Sequence, residues 1–408
     1  MSTPAQNAEV WRALGTRAKA TRCPSCGSSH SSPFHEVRNV PVHSCMLLRS
    51  RAEALAFPTG DIVLAFCECC GFIFNSAYDP EMRGYSSGYE EQQSFSTRFN
   101  EFSRELVSDL IDRYGLKGKK VLEIGCGKGD FLATICELGG NEGVGIDPTC
   151  DPQRISGPAK AHLKFIQDYY SQEYASIEAD LVCCRHTLEH IPDTGDFLRM
   201  IRRSIGYRRN PTVFLEVPDI GRVLREVAFW DIYYEHCSYF TLDSLIRLFE
   251  GCDFSVLRAH KGFDNQYLLL DAQPVAGSAV LNGADGDPEQ TARDISYFKA
   301  HYAAAIESWR RLLRDARDRG KRVAIWGSSS KCVSFLTTMG ITDEIDAVVD
   351  INPYRHGKFL AGSGAEVCSP ECLRLKHPDI VIIMNPIYRE EIRRDLQTMG
   401  IGPEIVAV

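Results

Sequence analysis

The run Val121-Leu-Glu123-Ile-Gly125-Cys-Gly127-Lys-Gly129-Asp-Phe-Leu132 decides the fold. Val121 to Ile124 reads as a buried strand, the alternate glycines as a tight turn and Asp130 onward as a helix start, an arrangement that lets a ligand approach backbone amides. Upstream, Phe102, Leu106, Leu110 and Ile111 fall on one face of a helix predicted over 100–114. Downstream, strands are predicted over 120–124, 143–146, 164–166, 181–185 and 212–216, with helical segments between the earlier ones, the signature of a doubly wound α/β sheet. Small and polar residues over 276–288 read as a linker, and 294–320 as a long charged helix whose arginine-rich end is a solvated face. The alternation restarts with strands over 322–326, 346–350 and 379–384, so a second, smaller α/β unit follows the first.

The chain has 408 residues, 44% hydrophobic and 25% charged, which suits two to four domains and excludes a disordered polypeptide. Its apolar runs, such as 379–384, fall far short of the roughly 20 residues a membrane span needs. The first residues carry no charged stretch followed by an apolar one, so the expectation is a soluble, cytoplasmic protein. A net charge of -8, from 54 acidic and 46 basic residues, gives no global attraction for nucleic acid. Sixteen cysteines in a reducing compartment direct attention to metal ligation rather than to disulfides. Cys23-Pro-Ser-Cys26-Gly27 and Cys67-Glu-Cys-Cys70-Gly71 form two CxxC knuckles with 40 residues between them. Each knuckle puts two thiolates on one side of a turn that its glycine lets curl. Cys23, Cys26, Cys67 and Cys70 together make a closed tetrahedral set, which points to structural rather than catalytic zinc. The intervening residues are expected to form a small β-rich insert with strands over 37–48 and 61–66, stabilised by the metal.

Glu123 lies in the strand before the glycine turn, and Asp147 closes the next strand, 20 residues beyond Gly127. Glu-x-Gly-x-Gly-x-Gly resembles motif I of class I S-adenosylmethionine methyltransferases. That resemblance implies that Gly125, Gly127 and Gly129 give room to the amino acid portion of the methyl donor, that Asp147 accepts the ribose hydroxyls and that Asp168 contacts the adenine amine. Arg185-His-Thr-Leu-Glu-His-Ile-Pro192 resembles the segment that follows the fourth strand in these enzymes. His186, nearer the strand end, is read as touching the cofactor, and His190 as capping the helix beneath it.

After the fifth strand, Trp230-Asp-Ile-Tyr-Tyr234-Glu235-His236-Cys-Ser-Tyr239-Phe-Thr241 packs aromatics, a carboxylate and a histidine densely, with Thr241 placed to cap a helix. Together with the two knuckles, the stretch from Tyr85 to Ser96 and the motifs above, it resembles the nucleotide-sugar C-methyltransferases of deoxysugar biosynthesis. The resemblance implies three domains: a zinc-binding domain over 1–80, a Rossmann-like methyltransferase core over 81–285 and a Rossmann-like, acceptor-binding α/β domain over 286–408.

Methylating carbon requires a carbanion equivalent, so the acceptor carries a ketone beside the reacting carbon and a base removes the α-proton. His236 is the expected base, with Glu235 orienting it or serving as base itself. Tyr234 and Tyr85 are expected to hydrogen-bond the developing enolate oxygen or the sugar, with Tyr85 on a lid held by the zinc domain. In the C-terminal unit, Val323-Ala-Ile-Trp326-Gly327-Ser-Ser-Ser-Lys331 is a strand, turn and helix start, where Ser328 and Lys331 are expected to meet a phosphate of the acceptor, with Tyr239 as a further acceptor contact. The Gly262-Phe-Asp-Asn-Gln-Tyr267 segment lacks the serine and arginine the resemblance calls for. That departure motivates one alternative, methyl transfer to oxygen or nitrogen of another small metabolite; a second, from another class, is a non-catalytic zinc-knuckle interaction protein, against which the intact Glu123, Gly125, Gly127, Gly129 and Asp147 argue.

Overall fold

The computed structural model describes residues 22–82, 84, 88–208, 211–275, 288–341 and 343–408. Tyr85 and the linker residues 276–287 lie outside the described residues.

Sixteen strands fall into three sheets among the described residues. The first comprises β1 (Ser31–Pro41), β2 (Thr59–Cys67) and β3 (Ile73–Asn75), paired antiparallel in that order. The expected strand over 37–48 ends at Pro41. The nine residues beyond it belong to an irregular segment in which the Ser44 amide donates to the Glu235 carboxylate instead of to a ladder, at 2.8 Å.

The second sheet holds β4 (Lys120–Ile124), β5 (Glu142–Ile146), β6 (Leu163–Ile166), β7 (Leu181–Arg185) and β8 (Thr212–Pro218). The two-residue β9 (Ser238–Tyr239) leaves this unit to pair with β3, Tyr239 opposite Ile73. β10 (Phe254–Gly262) and β11 (Tyr267–Pro274) form an antiparallel hairpin that completes the order β6-β5-β4-β7-β8-β11-β10, with β11 alone running against the rest. β4 is buried along Val121 to Ile124, as a strand covered by helices on both faces must be. Helix Asp130–Gly139 begins at Gly129 and stops at the left-handed Gly140, and returns the chain to β5. Helix Leu242–Glu250 is entered through a Thr241–Ser244 capping box, so Thr241 does cap it.

The third sheet is wholly parallel, in the order β14-β13-β12-β15-β16, from β12 (Val323–Trp326), β13 (Ala347–Val349), β14 (Val367–Cys368), β15 (Ile380–Ile383) and β16 (Glu404–Ala407). Helix Pro288–Asp318 leads into it, burying Ile295, Phe298, Ile306 and Leu313 while Arg310, Arg311, Arg314 and Arg317 face solvent. One apolar cluster runs through Ile62 and Leu64 of the first sheet, Phe229 and Ile232 of the second unit, and Phe335 and Ile382 of the third. Each such side chain, fully buried, is worth about 1.5–3 kcal/mol, so the three units share their stability. No helix among the described residues is long and apolar enough to cross a membrane.

Candidate active site

The carboxyl ends of the parallel strands in the second and third sheets open onto one cavity of about 1040 Å³, which Tyr233 and His236 also line.

On the β4 side, Gly125 (φ 71°) donates its amide to Ile146 O at 2.8 Å. A Cβ on Gly125 would lie 1.9 Å from Thr187 Oγ1, and one on Gly129 2.6 Å from the Phe165 ring, so the loop closes only with glycine. Asp147 is fixed by the Gly127 amide on Oδ2 (3.0 Å) and by the Thr149 amide and hydroxyl on Oδ1 (2.6 and 2.7 Å). Glu123 is buried, its carboxyl is pushed up to about 8 by burial, and its Oε2 has no hydrogen-bond partner. An orphaned carboxyl beside a glycine cradle suits the ammonium of S-adenosylmethionine, while Asp147 suits its ribose. Asp168 lies exposed at the rim, accepting from the Tyr169 amide at 2.7 Å.

His186 follows β7 in a left-handed conformation (φ 47°), its Nε2 3.1 Å from Glu216 Oε1 and its Nδ1 3.7 Å from Glu189 Oε1. Burial opposes its charge, but the Glu216 and Glu189 carboxylates prevail and raise its pKa to about 9. His190 lines the cavity and places Nδ1 3.0 Å from the Glu235 carbonyl oxygen rather than capping a helix end. Its ring meets that of His236 edge-on at 4.8 Å. His236 is buried, and burial followed by the nearby His190, His186 and Lys331 charges holds its pKa well below the usual imidazole value. It is therefore a neutral imidazole facing the cavity.

The four residues 233–236 diverge. Tyr233 lines the cavity with its ring centroid 4.2 Å from that of His236, and burial keeps its phenol protonated. Tyr234 turns away, its hydroxyl accepting from the Asp79 amide at 2.9 Å. The Glu235 carboxylate also points away from His236: it accepts from the Ser44 amide (2.8 Å) and hydroxyl (2.5 Å) and lies 3.5 Å from His43 Nδ1. Tyr239 donates to Tyr233 O at 3.2 Å and Ser328 is fully buried, donating to Asp350 at 2.6 Å; neither lines the cavity. Lys331 does, its Nζ 2.8 Å from Asp231, which it shares with Arg222. Adjacency in sequence had grouped Tyr234, Glu235 and His236. A turn without helical or strand period sends neighbouring side chains in different directions, and no signal in the sequence marks Tyr233 as the one that faces inward.

Away from the cavity, the sulfurs of Cys23, Cys26, Cys67 and Cys70 all lie within 4.8 Å of one another. Arg247 of helix Leu242–Glu250 donates to Cys70 O at 3.2 Å, and the Gly195 amide donates to Pro24 O at 3.3 Å, so both knuckles rest on the second unit.

The strand order β6-β5-β4-β7-β8-β11-β10 with its single reversed strand, and the glycine turn followed by an acidic residue at the end of the next strand, define a class I S-adenosylmethionine-dependent methyltransferase. Comparison with known proteins agrees and narrows the class. Residues 99–259 match a methyltransferase domain and residues 288–406 match a C-methyltransferase C-terminal domain. C-methyltransferase NovU of Streptomyces niveus is 28% identical over 307 residues, 71% of this chain and 72% of that protein. The chain thus carries a methyltransferase domain followed by a C-methyltransferase C-terminal domain, and is similar to C-methyltransferases. The ubiquinone biosynthesis O-methyltransferase of Pseudomonas aeruginosa (strain UCBPP-PA14) is 31% identical over 125 residues, 27% of this chain and 53% of that protein, so the match spans about half its length. Among solved structures, the calicheamicin-biosynthesis methyltransferase CalO1 is similar with a TM-score of 0.33 and 19% identity, over 42% of this chain and 54% of that one.

Proposed function

We propose that the protein methylates the carbon α to the keto group, C3, of a nucleotide-linked 4-keto-6-deoxysugar, with His236 as the base. The observation that carries this is the His236 ring lining the cavity beside Tyr233, their ring centroids 4.2 Å apart. A neutral imidazole takes the α-proton without first losing one, a contribution of about 10²- to 10⁴-fold. The protonated Tyr233 phenol donates to the enolate oxygen, a role the sequence had suggested for Tyr234 and Tyr85, the latter outside the described residues. S-Adenosylmethionine would be held by Glu123, Gly125, Gly127, Gly129 and Asp147 and would supply an electrophilic methyl, its carbon–sulfur bond breaking as the enolate carbon bonds and the neutral thioether S-adenosylhomocysteine leaving. Glu235 holds the loop that bears His236 to the Ser44 segment. Lys331 and Arg222, two cations around the one Asp231 carboxylate, favour the acceptor's phosphates, with residues 286–408 as the acceptor-binding domain and 81–285 as the methyltransferase domain.

Zinc at the four cysteines of the 1–80 domain fits the same reading. Zinc–thiolate bonds of about 2.3 Å place tetrahedral sulfurs about 3.8 Å apart. The Cys23–Cys70 and Cys26–Cys67 sulfur separations are 3.7 Å. Four thiolates leave no open position, so the metal is structural, and the reaction is assigned to the cytoplasm.

The test is twofold. Incubation with labelled methyl donor and a panel of nucleotide-linked 4-keto-6-deoxysugars should give a product whose new methyl sits on carbon by NMR; a heteroatom methyl, or no product across the panel, rejects the acceptor. Exchange of the acceptor α-proton with solvent deuterium, without methyl donor, should fall about 10²-fold or more in His236→Ala, and undiminished exchange removes His236 as base.

A further inference from the structure

The turn after β12 repeats the bonding of the methyl-donor turn. In the second sheet the chain crosses over between β4 and β7, and in the third between β12 and β15; ligands of doubly wound sheets sit at such points, and both open on the one cavity. Gly125 donates its amide to Ile146 O at 2.8 Å, and Gly327 donates its amide to Val349 O at 2.8 Å. One residue past Ile146 stands Asp147, and one past Val349 stands Asp350. Asp147 takes one amide from its turn on Oδ2, one from Thr149 on Oδ1, and the Thr149 hydroxyl. Asp350 takes the Ser328 amide on Oδ2 at 2.7 Å, the Asn352 amide on Oδ1 at 2.9 Å, and the Ser328 hydroxyl. Three donors lock each carboxylate in one rotamer without exhausting its acceptor capacity of about four sites, and both line the cavity.

The surroundings suit a nucleotide. Lys331 lies on the first turn of the following helix, and the buried Arg355 also lines the cavity, directing Nη1 to Ser328 O at 3.1 Å and its other amino nitrogen to Glu90 O, both neutral carbonyls. The turn itself differs: Gly327 precedes the helix N-cap, Ser329, by two residues, whereas Gly125 precedes Gly129 by four. Phosphate is thus left to the cations and serine hydroxyls, and the strand-end carboxylate keeps its place beside the sugar.

We propose that Asp350 is the ribose-binding carboxylate for the acceptor's nucleotide, hydrogen-bonding the 2′-hydroxyl, so that the acceptor is linked to a ribonucleoside diphosphate rather than to a 2′-deoxyribonucleoside diphosphate. This rests on reading the C-terminal unit as the acceptor's nucleotide site. The experiment is calorimetric titration of the full-length protein with UDP, dUDP, GDP and dGDP in saturating S-adenosylhomocysteine, which fills the Asp147 site. The expected result is that one ribonucleotide binds about 10-fold more tightly than its deoxy counterpart, as for a hydroxyl bonded to a carboxylate. In Asp350→Asn that ratio should approach unity, whereas Lys331→Ala should weaken both members of the pair alike. Equal affinities for the ribo and deoxy forms overturn the proposal while leaving the nucleotide site standing. Failure of all four to bind overturns the nucleotide reading itself. A ratio unchanged in Asp350→Asn moves the recognition elsewhere and refutes Asp350. The wild-type ratio needs no variant and decides even if Asp350→Asn does not fold.

Discussion

Replacing His186 tests the electrostatics of the site directly. The imidazole sits between the buried Glu216 and Glu189 carboxylates, and its pKa is raised from 6.5 to about 9 against the opposing effect of burial. At 1.36 kcal/mol per pH unit, that rise corresponds to about 3 kcal/mol of proton affinity gained on folding. The lowering of Glu216 to about 2, for which burial is outweighed by Arg185 and His186, includes the same coupling seen from its partner, which is counted once. Because the folded value lies above the unfolded one, this stability is fully present below pH 6.5 and is lost as pH rises through about 9. His186→Gln keeps an amide that bonds one carboxylate but cannot carry the charge. Urea unfolding of both proteins from about pH 6 to about pH 10 should show the stability difference, wild type minus variant, shrinking by about 3 kcal/mol across that range. Taking the difference cancels other groups that titrate there. A difference constant to within about 0.5 kcal/mol would refute the placement of a charged imidazole between the two carboxylates.

Three further outcomes are expected. Gly125→Ala forces a Cβ to 1.9 Å from Thr187 Oγ1 at φ 71°, so it should cost about 2–4 kcal/mol and abolish S-adenosylmethionine binding by calorimetry, whereas Gly115→Ala, at φ 61° with open space around it, should cost only about 1 kcal/mol. Treatment with a strong zinc chelator should remove about one metal per chain by atomic absorption and abolish methyl transfer, and full activity of the metal-free protein would contradict a structural role. Glu235→Ala strips the buried Ser44 amide and hydroxyl of their acceptor and should lower unfolding stability by about 2–4 kcal/mol; normal stability with activity lost beyond about 10³-fold would instead make Glu235 a participant in the chemistry.

The parallel strands were legible because a strand buried on both faces reads as an apolar run: β4 and β7 begin and end where the pattern of the sequence places them. The antiparallel β10–β11 hairpin was not foreseen. In β10 only Phe254 is buried, so no clear alternation marks the strand, and in the turn Phe263, Asp264 and Asn265 take positive φ without a glycine among them to announce it. The two-residue β9 is invisible for another reason: its pairing with β3 spans more than 160 residues of sequence, and nothing in Ser238 or Tyr239 names the partner. The glycine turns and knuckles were readable because their chemistry is local. Which of Tyr233, Tyr234 and Glu235 faces the cavity depends on contacts from Asp79 and Ser44, far away in sequence.

Those distant contacts tie the four-cysteine cluster to residues that line the cavity. Cys70 is followed within three residues by β3, β3 pairs with β9, and β9 begins two residues after His236. The Asn75 amide donates to Cys237 O and the Cys237 amide to Glu189 O, at 2.9 and 3.0 Å, so the knuckle, the candidate base and the loop after β7 form one bonded path. Glu90 performs the same joining on the other side. Fully buried, it takes Asn352 Nδ2 on Oε1 at 3.0 Å and Arg154 on Oε2 at 2.7 Å, while its amide donates to Cys45 O at 2.9 Å. A buried carboxylate left without its partners costs several kcal/mol. Undocking any one of the three units removes a hydrogen-bond partner from Glu90, and undocking the first also strips Ser44 from Glu235, so both buried carboxylates favour the closed arrangement.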